Sequence, residues 1–454
     1  MIYQSESGDI SMLMAGEAML SRRLSVFTER EYLAGVELNR KADVAFTNLE
    51  TVVRHPHEGY PAPTLGTPMT TPPELLEDLK WMGFNLVSTA NNHAGDYGTD
   101  GALATVRHLR NAGLAYAGSG ANLAEALAPG YLDTRAGRVA LVAVTSLFKP
   151  GEQAAEQRPD AAGRPGVAPL RFSTTYTVDA EAFAALARIN NGLGFTRDAD
   201  RARASFYSEA EFPKDNPERL TFLGRSFHRG DRFSYATRVN QADADACLRS
   251  IREARRQADW VILSFHNHEY GGHDRMSVDS RFDMGHPADF VEEFSRAAID
   301  AGADVVAGHG THVTLGIEIY RGRPIFYGLG NHILQNDTVT SIPAEGYARF
   351  GLGHQATPAD FLDARSGNGA RSFPAFREHW EGFVAICNFR ARRLAELRLV
   401  PVDLGFGRPR AQLGRPVVAT GEVAQRALER VIRISRLYNT EIRIDGETAL
   451  VRLA

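Results

Sequence analysis

The stretch Ala301-Gly-Ala-Asp-Val-Val-Ala-Gly-His-Gly-Thr-His-Val313 decides the expected fold. Its apolar run, Asp304 to Ala307, predicts a buried strand of a parallel sheet that ends in a glycine turn. Ligands of open α/β sheets bind just beyond the carboxyl ends of such strands. His309 and His312 are therefore candidate metal ligands, because neutral imidazole is the commonest metal ligand in proteins. Taken alone, the turn fits a loop with two solvated histidines equally well.

The composition is that of a globular protein with a sizeable core. The chain has 454 residues, of which 43% are hydrophobic and 23% charged, with a formal net charge of −4. The absence of a basic surplus argues against nucleic acid or an anionic membrane as a partner. The polar start, Met1 to Asp9, is unlike a signal peptide, and no apolar run reaches the roughly 18 residues that a membrane helix needs. These features, with only two cysteines, predict a cytoplasmic protein.

Four other predicted strands also end in side chains that can ligate metal or transfer protons. The carboxyl ends of parallel strands meet at one edge of a sheet, so these side chains are expected to converge. The predicted strands and their polar residues are Ile10 to Ala15 with Glu17, Ala42 to Asn48 with Glu50, Phe84 to Ala90 with Asn92 and His93, and Trp260 to Phe265 with His266 and His268.

Each of these signals has a structural alternative when it is taken singly. Glu17 also fits a helix N-terminus, where a carboxylate is favoured by the helix dipole, and Asn92 with His93 fits an asparagine-rich turn. Five such strand ends together favour a site for one or two divalent ions. Mixed carboxylate, amide and imidazole ligands do not distinguish Mn, Zn, Fe or Ca, and two ions about 3.5–4 Å apart can share one carboxylate.

Segment lengths predict an α/β fold with insertions. Residues 10–403 are expected to form the main domain, with an insertion at about 148–241 that is a lid or substrate collar. The polar, glycine-rich stretch 335–374 is a second candidate lid. Residues 404–454 are expected to add a helix and a hairpin that pack on this domain.

Four ordered motifs resemble those of the CapA family, which is linked to poly-γ-glutamate biosynthesis. That family is similar to the calcineurin-like metallophosphatases, so the resemblance implies an α/β/β/α sandwich with inserted lid segments. The resemblance covers about residues 10–147 and 240–335. The motifs are Asn48-Leu49-Glu50, Ala90-Asn91-Asn92-His93 with Asp96-Tyr97-Gly98, Gly302-Ala303-Asp304 to His312, and Tyr327-Gly328-Leu329-Gly330-Asn331.

The resemblance also implies a role for each site residue. Glu50 would bridge two ions, and His93 would be the proton donor. His268 is the expected partner of His93 in acid–base chemistry. The remaining implied roles are ligation of one ion by Asn92, His266 and His309, ligation of the other by Glu17 and His312, and substrate binding by Arg22, Asp96, Tyr97 and Asn331.

This chain departs from the family pattern at several positions. Glu17 stands where the family has aspartate, and Met19 stands where the phosphatases place a histidine. The first metal position would therefore be under-ligated. His268 adds an imidazole where the family more often has other residues. Many family members are anchored outside the membrane, and no anchor is evident here.

Three functions are compatible with these residues, and the oligomeric state stays open. Some cytoplasmic CapA-like proteins are associated with D-residues in peptides, including lasso precursors, which implies a metal-dependent epimerase acting on a peptide or poly-glutamate-type substrate. An ion bound to a substrate carboxylate would favour loss of the neighbouring Cα proton. The first alternative is a metal-dependent hydrolase of a phosphoester or γ-glutamyl amide. The second is a non-catalytic subunit of poly-γ-glutamate capsule biosynthesis.

Overall fold

The computed structural model describes residues 8–64, 66–270 and 286–453. The chain divides into two compact units. The main unit comprises Met1–Arg171, Gln241–Glu269 and Glu293–Ala454, and the small unit comprises Phe172–Asn240 and Tyr270–Glu292. Residues 1–7, which include most of the polar start of the chain, lie outside the described residues.

The strands of the described residues, numbered in chain order, are β1 (Ile10–Met19), β2 (Val44–Leu49), β3 (Val52–Val53), β4 (Thr70–Thr71), β5 (Leu86–Ser88), β6 (Ala115–Ala117), β7 (Ser119–Gly120), β8 (Gly130–Thr134), β9 (Gly137–Thr145), β10 (Gly166–Val167), β11 (Phe172–Val178), β12 (Arg219–Phe222), β13 (Arg225–Arg229), β14 (Ser234–Val239), β15 (Trp260–His266), β16 (Val305–His309), β17 (Ile317–Tyr320), β18 (Arg323–Phe326), β19 (Asn331–Leu334), β20 (Glu381–Arg390), β21 (Arg393–Asp403), β22 (Val417–Val418), β23 (Ile442–Asp445) and β24 (Thr448–Val451).

The helices are α1 (Arg30–Lys41), α2 (Leu76–Trp81), α3 (Gly98–Ala112), α4 (Leu123–Leu127), α5 (Ala180–Gly192), α6 (Phe195–Ser205), α7 (Gln241–Gln257), α8 (Asp289–Ala301), α9 (Ala344–Arg349), α10 (Pro358–Ser366) and α11 (Gly421–Ser435).

The main unit contains two large mixed sheets. The first is ten-stranded, in the order β23-β24-β21-β20-β1-β2-β5-β6, with β19 paired to β1 and β22 paired to β21. The second is six-stranded, in the order β17-β18-β16-β15-β9-β8. The central pairs β1–β2, β2–β5, β9–β15 and β15–β16 are parallel. The mixed α/β class predicted from the sequence is therefore confirmed.

One apolar core joins the two sheets. Side chains alternate between the faces of a strand. Met12 and Met14 of β1 belong to the same buried cluster as Leu141 of β9 and Ile262 of β15. The two sheets therefore pack face to face, and this burial is the main source of stability.

Helices cover the outer faces of both sheets. Leu13 of β1 points away from the shared core and packs in a second cluster with Tyr32 of α1 and Leu79 of α2. On the second sheet, Phe265 of β15 meets Phe294 of α8 edge to face, with ring centroids 5.8 Å apart. The main unit thus has four layers, with helices outside two sheets.

The strands that carry the candidate ligands run further than the sequence predicts. Glu17, His266 and His309 lie within β1, β15 and β16, respectively, not beyond their ends. Parallel pairing explains the extension, since His266 lies directly opposite His309 in the ladder and the hydrogen bonding continues through both residues. The predicted ends of these three strands were therefore one to four residues too early, whereas the other candidate residues do follow their strands; these are Glu50, Asn92, His93, His268 and His312.

A register shift in β1 re-aims Glu17. The pairing with β2 shifts between Met14 and Glu17. Met14 faces the shared core, whereas both Ala15 and Ala18 face the helices. Without the irregularity, Glu17 would lie on the same face as Ala15. Bulges of this kind redirect side chains near functional sites.

Both segments that were predicted as candidate lids contain regular structure. Within the 148–241 insertion, β11 to β14 form a four-stranded sheet of the small unit, in the order β12-β13-β11-β14, with Val178, Phe183 and Leu220 in its core. The 335–374 stretch contains α9 and α10. At the C-terminus, β24 pairs with β21, so the terminal hairpin extends the ten-stranded sheet.

None of the helices in the described parts of the chain combines the length and apolar character required to traverse a lipid bilayer.

Replacing Leu141 by alanine is expected to destabilise the main unit by about 2–5 kcal/mol, because it leaves a cavity between the two sheets. Intrinsic fluorescence during urea unfolding reports on this unit alone, since its tryptophans, Trp81, Trp260 and Trp380, are all those of the chain. Val26→Ala is the control, because the Val26 side chain is 62% exposed. Truncating it should change the free energy of unfolding by less than about 0.5 kcal/mol. Equal losses in both variants would contradict the shared core.

Candidate metal centre

Glu17, His266 and His309 form the inner of two ligand groups. Each offers a ligand atom within 4.8 Å of the others, and all three side chains are buried. The Nδ1 atom of His309 lies 3.7 Å from Glu17 Oε2, and Nδ1 of His266 lies 4.0 Å from the same oxygen. The two Nδ1 atoms are 3.1 Å apart. This group can direct one carboxylate oxygen and two imidazole nitrogens at a single point.

Neighbouring polar groups hold the inner group in place. The Asn48 amide donates to Glu17 Oε2 at 2.6 Å, and the Gly310 amide donates to Glu17 Oε1. Ser264 Oγ lies 2.6 Å from Nε2 of His309, on the far side of the ring from Glu17. Such supporting hydrogen bonds fix the orientation of a metal-binding imidazole.

Glu50, His268 and His312 form the outer group. Glu50 Oε1 lies 3.8 Å from Nε2 of His312 and 3.9 Å from Nε2 of both His93 and His266. Nδ1 of His312 donates to Asn331 Oδ1 at 3.0 Å, which leaves its Nε2 directed at the carboxylate. His312 adopts a φ of 56°, a conformation uncommon outside glycine that is characteristic of constrained sites.

The Glu50 carboxylate has no hydrogen-bond donor among the described residues, although it is fully buried. Buried polar atoms almost always have partners, so this carboxylate requires another one. Divalent ions bind imidazole and carboxylate at about 2.0–2.2 Å, which places ligand atoms about 3–4 Å from one another. The contacts around Glu50 match that spacing. The donor set therefore fits a divalent cation.

Burial sets the charge of the site in the absence of a cation. It raises the pKa of Glu17 to about 7, despite the opposing hydrogen bonds from Asn48 and Gly310. Burial, followed by repulsion from Glu17, raises the pKa of Glu50 well above its ordinary value. Burial also lowers the pKa of His309 to about 3 and that of His268 to about 4. The imidazoles are therefore neutral at physiological pH, as metal ligands must be.

A cavity of about 880 Å³ borders the outer group. His93, His268 and His312 lie in its wall together with Asn92 and Lys149. Apolar side chains, including Leu147, Phe148 and Phe373, supply other parts of the wall. A cavity of this size with a few convergent polar groups is typical of a small-ligand or peptide site.

Asp96 positions His93 at the cavity wall. Its Oδ2 accepts from Nδ1 of His93 at 2.5 Å and from the Met69 amide at 2.8 Å. Lys149 Nζ lies 3.5 Å from Asp96 Oδ1. This arrangement leaves Nε2 of His93 towards Glu50, the geometry of an oriented acid or base.

The structure partitions the expected ligands differently from the prediction. Glu17 groups with His266 and His309, and His312 groups with Glu50 and His268. Register decides this partition, since β15 and β16 place His266 beside His309. Asn92, expected as a ligand, accepts from Nε2 of His266 at 2.8 Å and lies in the cavity wall.

Most of the residues expected to bind substrate contact other parts of the protein. Asn331 bonds to His312 and also donates to the His379 carbonyl. Tyr97 is buried beneath the Arg54 guanidinium, which lies 4.1 Å from the ring centroid. Arg22 donates to the Ala411 carbonyl at 3.4 Å. The described residues that line the cavity include Asp96 but none of these three.

Sequence reasoning missed the roles of Asn48 and Ser264. Asn48 belongs to the Asn48-Leu49-Glu50 motif, so its position was itself a signal. Ser264 lies two residues before His266 on a strand, and period-two alternation places both on one face. Nothing in the sequence pointed to Phe373, whose ring centroid lies 5.1 Å from that of His312.

The model of the family described as bacterial capsule synthesis protein PGA_cap matches residues 8–336. The chain belongs to the PGA_cap family. The resemblance to CapA seen in the sequence is thereby confirmed.

Relatives of this PGA_cap protein extend over most of its length. It is 34% identical to the uncharacterized protein y4sH of Sinorhizobium fredii over 454 residues, which cover 98% of this chain and 93% of that protein. It is 23% identical over 368 residues to the PGA biosynthesis protein CapA of Bacillus subtilis, covering 77% of this chain and 73% of that protein. It is 22% identical over 339 residues to the capsule biosynthesis protein CapA of Bacillus anthracis, covering 73% and 61%, respectively.

In this PGA_cap protein, Glu50→Gln is expected to lower the affinity for Mn²⁺ or Zn²⁺ by at least about 10-fold, because it removes a ligand charge. Elemental analysis and titration calorimetry measure the effect. The variant should stay folded, since the change also removes repulsion between Glu50 and Glu17. Glu74→Gln, at an exposed carboxylate, is the control. Unchanged metal content in Glu50→Gln would contradict the site.

Metal affinity is expected to rise between pH 6 and pH 8. The raised pKa of Glu17, about 7, means that an ion must displace the Glu17 proton at pH 6 but seldom at pH 8, and the raised pKa of Glu50 adds to the same rise in affinity. Burial lowers the pKa of the four ligand imidazoles, so they add no such dependence; these belong to His266, His268, His309 and His312. For each proton that the ion must displace, the affinity rises about tenfold per pH unit below that pKa. Calorimetry in buffers of different ionisation enthalpy measures both quantities, and a pH-independent affinity would count against the protonated carboxyl pair.

Proposed function

We propose that this protein is a metal-dependent enzyme that epimerises a peptide or poly-glutamate-type substrate at a Cα next to a carboxylate. The observation that carries the proposal is the buried Glu50 carboxylate, to which no described residue donates a hydrogen bond and around which three imidazole nitrogens lie 3.8–3.9 Å away. This group borders a cavity that is large enough for several residues of a peptide. The Bacillus subtilis relative is named a PGA biosynthesis protein, and we take this link to support a poly-glutamate-type substrate.

The architecture is compatible with a calcineurin-like metallophosphatase fold. Two sheets pack face to face between helices, and the candidate ligands come from the carboxyl-terminal ends of β1, β15 and β16 and from the loop after β2. Clustering at strand ends is the usual position of an active site in α/β proteins. We propose this fold for the main unit on that basis.

A bound divalent ion would stabilise negative charge on the substrate carboxylate and thereby acidify the neighbouring Cα–H bond. Inversion further requires a base and an acid that reach the same carbon. With an ion held by Glu17, His266 and His309, His268 suits the base, because burial keeps its imidazole neutral and its Nε2 has no hydrogen-bond partner among the described residues. His93, oriented by Asp96, suits the acid that returns a proton. The protein thus supplies two imidazoles with different surroundings.

Hydrolysis of a γ-glutamyl amide is the second candidate. It is favoured by the presence of two ligand groups, one at Glu17 and one at Glu50, because paired metal sites commonly serve hydrolysis. In that reaction His93 would donate a proton to the departing amine. A non-catalytic role is less compatible with the buried Glu50 carboxylate, which receives no hydrogen bond from the described part of the chain, since such a group is costly to keep without a function.

Deuterium exchange separates these functions. The protein, loaded with Mn²⁺ or Zn²⁺ in D₂O, is expected to introduce one deuterium at Cα of a peptide with a free C-terminal carboxylate or of γ-linked tetraglutamate, without cleavage. Mass spectrometry and chiral amino-acid analysis detect the product. Released glutamate without exchange would instead establish hydrolysis. If no probe gives either product, the non-catalytic role would remain.

Variants test the assignment of the residues in the same assay. His93→Ala and His309→Ala should each lower the rate by about 10²–10⁴-fold while circular dichroism stays unchanged. His57→Ala, at an exposed histidine, is the matched control. Wild-type turnover in either site variant would contradict the assignment.

A further inference from the structure

Two arginines border the same cavity as the ligand cluster. Arg349 lies at the end of α9, and Arg365 lies in the last turn of α10. Burial, together with the nearby charge of Arg349, lowers the pKa of Arg365, while Asp337 acts in the opposite direction. Two neighbouring cations in a partly apolar wall favour an anion between or beside them.

Arg365 is held in a defined position. Its Nη1 donates to the hydroxyl of Thr67, another residue of the cavity wall. At the start of α10, Thr357 and Asp360 form a reciprocal capping box. Near the end of the helix, Arg371 donates to the Arg365 carbonyl at 2.9 Å. Such preorganisation lowers the entropy lost when the guanidinium binds a ligand.

Among the described residues, no carboxylate forms an ion pair with Arg365. Lys149, the lysine of the wall, differs in this respect, since it lies 3.5 Å from Asp96 and 3.2 Å from Glu152. Lys149 therefore pairs with carboxylates of the protein itself. Arg365 retains donors for a ligand, and a guanidinium can bind a carboxylate through two parallel hydrogen bonds.

We propose that Arg365, assisted by Arg349, binds a substrate carboxylate other than the one beside the reacting Cα. These arginines would thereby make the enzyme selective for acidic peptides, and they would fix which residue of the chain reaches His93 and His268. Apolar neighbours such as Phe373 limit the access of water, which strengthens a charged hydrogen bond. This inference rests on the proposed function, but binding tests it without turnover.

The test is binding of fluorescently labelled γ-linked tetraglutamate to the full-length protein, measured by anisotropy, beside an analogue whose carboxylates are all carboxamides. Arg365→Gln should weaken binding of the acidic probe by about 10–100-fold, the usual effect of losing a hydrogen bond between charged groups. Arg349→Gln should weaken it less. Arg365→Lys should restore part of the affinity, because lysine keeps the charge but not the paired donors.

The control variant is Arg393→Gln, which removes one exposed positive charge at the start of β21 and should leave binding unchanged. The carboxamide analogue should bind wild type and Arg365→Gln equally. Equal affinity of the acidic probe for wild type, Arg365→Gln and Arg349→Gln would overturn the inference. Exposed Arg349 keeps the test usable if Arg365→Gln does not fold.

The two proposals fail in distinguishable ways. If binding depends on Arg365 but the protein catalyses neither exchange nor cleavage, the carboxylate-binding site is supported and the proposed activity is rejected. If the protein catalyses exchange in D₂O but replacing either arginine leaves binding unchanged, the activity is supported and the carboxylate-binding site is rejected.

Discussion

Two carboxylates, Glu17 and Glu50, are buried close together beneath a cluster of imidazoles, and their electrostatic repulsion is the constraint on which the site depends. Removing one such charge from water is costly, and a second one nearby adds to the cost. Glu17 is partly stabilised by donors from Asn48 and Gly310, whereas Glu50 has none among the described residues. A divalent cation would resolve this imbalance, because it would neutralise both groups and could be held by the neutral imidazoles.

The fold brings these groups together through an irregularity in strand pairing. Glu17 faces inward only because the β1–β2 register shifts immediately before it. A Cβ at Gly16 would lie 1.8 Å from the Gly330 carbonyl, so that position requires glycine. Irregular pairing and close backbone approach at a strand end are typical of sites that position side chains for chemistry.

The cavity divides its chemistry between separate parts of the chain. The ends of the central strands and the loops after β2 and β5 provide the acidic and imidazole groups, and the segment with α9 and α10 provides the arginines. Lys149 and Asp96 form a polar link that fixes His93. The proposed metal binding, proton transfer and substrate selection could therefore vary independently, because different segments would carry them.

The sequence by itself determined the α/β class, the family and most of the residues that converge, since apolar strands ending in Glu, Asn and His are visible as local patterns. Tertiary structure alone decided which ligands share a point, because the pairing of His266 with His309 depends on register between strands 43 residues apart. It also decided that Asn331 supports His312 and that Arg365 reaches the cavity. These contacts join residues distant in the chain, and no local pattern specifies how segments pack across such separations.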